Sequence, residues 1–575
     1  MQILINHVGY APHAPKRAIL KCTEGETPQA FAIVCHDTGK EVFQGTPQSN
    51  GTVDRWKNWH FWTVDFSSLT APGRYVVVAK PSDAATCPER SHPFEIRTHL
   101  IRETIADILY YFRAQRCADE FDETDKNLPI YNDKDNRTVD VHGGWYDASG
   151  DVSKYLSHLS YANFMNPQQT QLCVWSMFHT ARELEKKHAA NGDFGTERLI
   201  KKLYDEALYG ADFLVRMQDP CGAFYMTVFD QWTADTSKRM ICEYKTQAGH
   251  RYENWQCSHR QGAGMSIAAL AIAARAPRDR DFTRETYLKT AIKGFDHVEE
   301  HGPSYCNDGK ENIIDDYCAL LAATELFITT KEQRFYDAAA ARAKSLMARI
   351  SSDDTCTDWL RADDAGKRTF FHASDAGLPI LSLLGFMDVA KDDAKAEILA
   401  AVERLCAFEL RITEEVPNPF DYPRQYITDA DGNRRTSFFF AQHNESGYWW
   451  QGENARLGSL ASAARAAARH VKPEMRDRLN EYAGLCIDWM LGMNPFDICM
   501  LHGRGHNNAF YEEGYPSAPG GVCNGATAGF LDPHDIDFNP SEPPEARTGN
   551  HRWRWSEQWI PHSGWYILAV SLENH

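Results

Sequence analysis

A chain of 575 residues with 43% hydrophobic residues can bury a large core, and its length predicts more than one domain. Its formal net charge of -18 argues against a nucleic-acid partner, because phosphate binding needs clustered Lys and Arg. No apolar run reaches the roughly 18 residues that a membrane-spanning helix requires, so no membrane partner is expected.

The first twenty residues, MQILINHVGYAPHAPKRAIL, lack a basic region followed by a continuous apolar core, and no secretory signal is read there. The 15 cysteines are odd in number and form no Cys-x-x-Cys pair. They predict reduced, mostly buried thiols in a cytoplasmic protein, without a disulfide framework or a metal site. Short runs rich in β-branched and aromatic residues come next: AFAIVCHD, FWTVDFS, GRYVVVAK and SHPFEIR, separated by turn signals. They predict an immunoglobulin-like β-sandwich over residues 1–97. From Thr98 onward helical periodicity dominates. IRETIADILYYFRAQ, TQLCVWSMFHTARELEKK and LIKKLYDEALYGADFLVRM are followed by GMSIAALAIAARA, DDYCALLAATELFIT and RFYDAAAARAKSLMARI. AKAEILAAVERLCAFEL, ARLGSLASAARAAARH, MRDRLNEYAGLCIDWML and a last helix within QWIPHSGWYILAVSLE complete the series. Helices are also predicted near 152–162 and 284–299. About a dozen helices with loops of unequal length suggest an α/α toroid over residues 98–575, and periodicity alone leaves an irregular helical domain open.

The stretch GGWYDASGD, residues 143–151, places Asp147 and Asp151 together with no Lys or Arg between them. Two neighbouring carboxylates resist joint ionisation and can grip one water as general base. The same residues suit a structural role, with Asp151 capping a helix from Val152 and Asp147 in an Asx turn. Trp145 and Tyr146 beside the acids suit the face of a sugar. Cleavage of a glycosidic bond needs a second carboxyl as acid. Glu557, in HRWRWSEQWIPHSGWYILAV, is flanked by Trp553, Trp555, Trp559 and Trp565, and apolar surroundings raise a Glu into the range of a neutral-pH acid. Helix-dipole stabilisation is the competing role for Glu557.

Several of these stretches resemble family 9 of the glycoside hydrolases, inverting cellulases and related exo-enzymes. GGWYDASGDVSKY is similar to the family's Gly-Gly-Trp-Tyr-Asp-Ala-Gly-Asp signature, and LGMNPFDI at 491–498 to its Leu-Gly-x-Asn-Pro motif. EQWIPHSGWYILAV resembles the closing segment with the acid glutamate. LINHVGYAP, DFSSLTAPGRYVV and SHPFEI resemble the immunoglobulin-like module that precedes many of these domains. The resemblance implies an (α/α)6 barrel behind an amino-terminal sandwich. It implies Asp151 as base, Asp147 as its partner on the water, Glu557 as acid, and inversion by single displacement.

Two departures stand out. Ser149 lengthens the family's Asp-x-x-Asp to Asp-x-x-x-Asp, which leaves open which aspartate is the base. The His-His-Arg stretch of the cellulases is replaced by HGRGHNNAFYEEGYP, where Arg504 and His506 become candidate sugar contacts. Two further stretches suit a sugar pocket. HNESGYWWQGENAR at 443–456 offers Glu445, Tyr448, Trp449, Trp450, Gln451 and Glu453, and YENWQCSHRQG at 252–262 offers Trp255, His259 and Arg260. Core packing and helix capping account for these residues equally well. HDIDFN at 534–539 holds too few acids for calcium and reads as a loop. The expected function is an exo-acting, inverting β-glycosidase on short β-1,4 gluco- or glucosamine oligosaccharides, without cofactor or metal. An endo-cellulase and a non-catalytic carbohydrate-binding protein are the alternatives.

Overall fold

The computed structural model describes residues 1–83, 86–192, 194–246, 248–447, 452–510, 517–529, 532–537 and 553–573. The first ninety-odd residues form two antiparallel sheets. One runs Gln2–Leu4, Arg17–Cys22, His60–Asp65, Gln48–Thr52 in spatial order. The other runs Glu41–Gly45, Pro28–Cys35, Gly73–Pro81, and both Glu89–Arg90 and Phe94–Ile96 pair with the last. Strand alternation decides which core each residue joins. In Arg17–Cys22, Ala18, Leu20 and Cys22 face the other sheet, whereas Ile19 joins the core of the helical domain. Ile3 and Ile5 split from Leu4 in the same way. Gln2–Leu4 and Arg17–Cys22 of the first sheet are therefore buried on both faces. Trp56, fully buried, sits among Phe420, Tyr422, Phe438, Phe439 and Trp489 of the helical domain.

Among the described residues twelve helices have ten residues or more, and they alternate between two rings. Thr170–Asn191, Gly264–Ala273, Ile313–Thr330, Leu378–Met387, Asn454–Ala468 and Ile560–Ser571 touch in that order, and the last closes onto the first. Leu100–Ala114, Phe194–Arg216, Arg284–Tyr305, Gln333–Ala348, Asp392–Glu414 and Pro473–Met490 pack outside them. This is an (α/α)6 barrel. Inner helices such as GMSIAALAIA are apolar on all sides, which suits a helix surrounded by others. Their N-termini gather at one end of the barrel.

Three expectations need correction. Residues 152–162 are not a helix: Lys154–Tyr155 pair with Thr227–Phe229, and only Ser160–Ala162 make a short helical turn. The inner helix LPILSLLGFM, Leu378–Met387, was not predicted, because a ten-residue apolar run opening on Leu-Pro is not told from a buried strand by pattern. Ile536–Asp537, read as loop, pair with Thr527–Ala528.

Two residues expected at the sugar serve the scaffold, His506 at the joint between the domains and Arg504 within the helical domain. His506 stacks between His7 and His92 of the sandwich, with ring centroids 3.7 and 3.6 Å apart. His7 and His506 each direct Nε2 at Asp497, at 2.9 and 3.1 Å. Arg504 donates to Asp107 at 2.7 Å. These are structural ties rather than sugar contacts.

Candidate active site

The signature stretch is a loop shaped by two glycines and one buried charge cluster. Gly143 and Gly144 have φ of 80° and 74°, and a Cβ at Gly144 would strike the Phe213 ring. Behind the loop, Asp125, Lys154 and Arg239 are fully buried. Lys154 Nζ donates to the carbonyls of Val141 and Gly143 at 2.8 and 2.7 Å and pairs with Asp125 at 2.7 Å. Arg239 Nε meets the other Asp125 oxygen at 2.6 Å, and its Nη1 donates to the carbonyl of Val152 at 2.8 Å. Burial opposes the charge on Asp125, but Lys154 and Arg239 outweigh it and hold the carboxyl below its usual range. Both flanks of the loop are thus tied to one carboxylate.

Asp147 and Asp151 come within 4.8 Å of each other and of His158. Asp147 accepts the indole N–H of Trp559 at 3.1 Å, accepts the Gln169 amide, and has His158 Nδ1 at 3.6 Å. Asp151 accepts the Ser153 N–H at 2.9 Å on one oxygen and the Tyr155 hydroxyl at 2.8 Å on the other. Gln169 and Trp559 stand at the N-terminal boundaries of two inner helices, where positive helix ends favour carboxylates. The extra residue has a clear place. Ser149 N–H donates to the carbonyl of Gln558 at 2.8 Å, and its hydroxyl accepts Gln558 N–H at 3.0 Å. The serine staples the aspartate loop to the segment that carries Glu557.

Glu557 is 8% exposed and lies just before the last inner helix. Asn524 donates its backbone N–H to the Glu557 carbonyl at 2.8 Å, and its amide lies 3.5 Å from the carboxyl. His562 Nε2 is 2.9 Å from Asn524 Oδ1, and burial pushes this imidazole down to about 3, so it is neutral. A neutral ring donating to Oδ1 turns the Asn524 NH2 group towards Glu557.

The three carboxyls are set apart in proton affinity. Burial, then the Asp147 charge, raises Asp151 to about 6. Burial, then Asp151 and Asp147, raises Glu557 to about 8. Burial raises Asp147 as well, against His158, Trp559 and Gln169. Between these values one aspartate is ionised while the glutamate keeps its proton, the division a base and an acid require. On a neutral substrate, kcat/KM is expected to rise with pH through about 6, as Asp151 ionises, and to fall through about 8, as Glu557 loses its proton. A steady-state pH profile tests this. Activity undiminished well above pH 9 would contradict the acid role.

Most residues proposed as sugar contacts serve the scaffold instead. Trp145 is fully buried and donates to Glu206 at 3.0 Å. The Tyr146 hydroxyl is bound to the backbone of Ala118. Trp255 packs on Tyr225 in the core, and Trp555, 1% exposed, packs against Phe496. His259 is buried against Glu299 at 2.9 Å, and Arg260 is buried against Asp315 and Asp308. Glu453 accepts the Tyr422 hydroxyl and Arg456. Glu445 remains partly open and pairs with Arg368 at 2.8 Å. Tyr448, Trp449, Trp450 and Gln451 lie outside the described residues. Buried aromatic and charged residues in loops look the same in sequence whether they face ligand or core. His158, Gln169, Tyr155, Asn524 and His562 were missed. Of these, only Asn524, after a Gly-Gly turn in GGVCNG, carried a local signal.

Among the described residues, two groups bring three metal-ligating side chains together. Around Asp147, Asp151 and His158 the carboxylate oxygens already accept N–H and O–H donors, an arrangement suited to holding water. His7 and His506 stack too closely to share a zinc ion at about 2.0–2.1 Å from each nitrogen without splaying apart.

Comparison with known proteins agrees with this geometry. Residues 102–513 match the profile of glycosyl hydrolase family 9, and residues 1–83 match the cellulase N-terminal ig-like domain. A cellodextrinase of Butyrivibrio fibrisolvens is 31% identical over 92% of this chain and 91% of its own. Endoglucanase C of Cellulomonas fimi is 26% identical over 58% of this chain and 32% of its own. The crystal structure of a metagenome-derived family 9 endoglucanase superposes with a TM-score of 0.67 at 20% identity, covering 100% of this chain and 99% of that one. The sandwich, the closed double ring of helices and the profile match together establish that the chain belongs to glycosyl hydrolase family 9 and is a glycoside hydrolase.

Proposed function

We propose that the protein hydrolyses short β-1,4-linked gluco- or glucosamine oligosaccharides from chain ends, with inversion. Asp151 is the base, Asp147 helps hold the water, and Glu557 is the acid. The observation that carries this reading is the set of three buried carboxyls drawn from two distant segments, with burial and neighbouring charge raising Asp151 to about 6 and Glu557 to about 8. Water held by the aspartates attacks the anomeric carbon. Its proton passes to Asp151 while Glu557 protonates the departing oxygen. The cellodextrinase relative supports a short β-1,4 glucan as substrate class. The tying of His506 into the domain joint and of Arg504 to Asp107 of the outer ring supports a site without the cellulases' basic contacts along an open cleft. Three carboxyls gathered beside His158, with Arg554 acting on Glu557, leave the site with more acids than bases among the described residues, which supports preference for a protonated 2-amino sugar. Fifteen unpaired cysteines support action in a reducing compartment.

The endoglucanase names among the relatives support a second reading, internal cleavage. Product analysis on a tetramer separates them. Single sugars released one at a time are expected, and dimers appearing early would overturn the exo reading. Glucosamine dimers should be cut faster than glucose dimers below neutral pH, and N-acetylated dimers poorly. Equal rates would overturn the amino-sugar preference.

A further inference from the structure

Exposed large apolar side chains are few among the described residues, and one of them is bonded towards the catalytic centre. Trp232 is 38% exposed. It sits in the turn after Thr227–Phe229, where Gln231 and Trp232 both have positive φ, 64° and 57°. Non-glycine residues in this region cost backbone strain that the surroundings must hold. Asp230 does so: one oxygen accepts the Trp232 N–H at 3.0 Å and the Ser153 hydroxyl at 2.9 Å. The strained turn is therefore fastened to the residue two positions after Asp151. Phe229 and Tyr244 meet the indole nearly at right angles, at 5.2 and 5.7 Å between centroids. The indole Nε1–H donates to the Tyr155 hydroxyl at 3.1 Å, and that hydroxyl donates to Asp151 Oδ2 at 2.8 Å.

A side chain kept for packing would bury its ring. A side chain kept for solubility would not be tryptophan. Here a strained turn holds the indole with its polar edge inward and much of its surface outward. Donation into the Tyr155 oxygen polarises its O–H, because hydrogen bonds in a chain strengthen one another. A stronger donor on Asp151 favours the carboxylate over the acid. Burial keeps Tyr155 itself protonated, so it remains a donor throughout the working range.

Resting on the assignment of Asp151 as base, we infer that Trp232 is both a platform for a sugar ring and a positioning residue that, through Tyr155, holds Asp151 ionised and oriented. A pyranose stacked on the exposed indole would meet the ring whose edge sets the base. Substrate binding and base alignment would then depend on one side chain.

The test is kcat/KM against pH on a neutral dimer, for the full-length protein and for Trp232→Phe, Trp232→Ala, Tyr155→Phe and the Tyr155→Phe/Trp232→Phe double variant. The titratable groups facing Asp151 are Asp147, His158, Tyr155, Tyr244 and Glu557. All but Tyr155 are present in every variant, so the comparison isolates the relay. Trp232→Phe keeps a ring and loses the N–H. It should move the acid limb up by about half a pH unit and leave KM within about twofold. Trp232→Ala should move the limb equally and raise KM about tenfold. The double variant should shift no further than Tyr155→Phe alone, because the indole acts through that hydroxyl. An unmoved limb in Trp232→Phe, or additive shifts in the double variant, would overturn the relay. An unchanged KM in Trp232→Ala would overturn the platform. The base assignment fails separately, by Asp151→Asn retaining turnover.

Discussion

Glu557→Gln and Asp151→Asn are each expected to lower kcat by about 10²–10⁴-fold or more, the range lost when a positioned proton donor or acceptor is removed. Both replacements keep shape and volume, so the loss belongs to proton chemistry rather than to packing. The two variants should differ on a dimer analogue with an acidic phenol as leaving group. That bond breaks without an acid, so Glu557→Gln should recover much of its rate while Asp151→Asn should not. Asp147→Asn should cost less, because Trp559, Gln169 and His158 surround a residue that orients the water. Thermal stability should hold or rise in all three. Burial raises each carboxyl, so the folded state favours the protonated form, and ionisation costs stability as pH rises past the unfolded value. A neutral amide removes that cost. If either Asp151→Asn or Glu557→Gln keeps near-normal turnover, its assignment is wrong.

The second large effect is structural. Asp125→Ala should destabilise the protein by about 3–5 kcal/mol, since it leaves Lys154 and Arg239 buried without their counter-charge. Breaking such a pair costs more than the pair contributes over an apolar replacement, so Asp125→Ala is the sharper variant than a triple apolar substitution. Activity should fall further than stability alone explains, because the same cluster holds the carbonyls of Val141, Gly143 and Val152. Urea unfolding followed by circular dichroism gives the first number and kcat at a temperature well below unfolding gives the second. A change below about 1 kcal/mol would show that water or local movement compensates the charges.

The sequence carried the fold through periodicity, and it failed where periodicity is uninformative. LPILSLLGFM is buried almost throughout because it belongs to the inner ring, and a short apolar run opening on Leu-Pro is not told from a buried strand, whereas the alanine-rich GMSIAALAIA reads as helix. Residues 152–162 looked helical, yet Lys154 and Tyr155 are drawn into a sheet by pairing with Val228 and Thr227. The carboxyls proposed to act were legible because Asp147, Asp151 and Glu557 stand in stretches with family character. Their supporting residues were not. Gln169 and His562 act through hydrogen bonds fixed by tertiary contacts that no local spacing announces, and only the Gly-Gly turn before Asn524 hinted at its place. Arg504 and His506 show the opposite error. Their composition suits sugar binding, and the fold ties His506 to the domain joint and Arg504 to Asp107 of the outer ring.

The central claim is direct displacement by water held opposite the acid. Proton NMR of the first products, taken before mutarotation, tests it on a β-linked dimer. The account predicts the α-anomer first, with the β-anomer appearing only as mutarotation proceeds. A β-anomer formed first would require a covalent intermediate, and would contradict the roles given to Asp151 and Glu557.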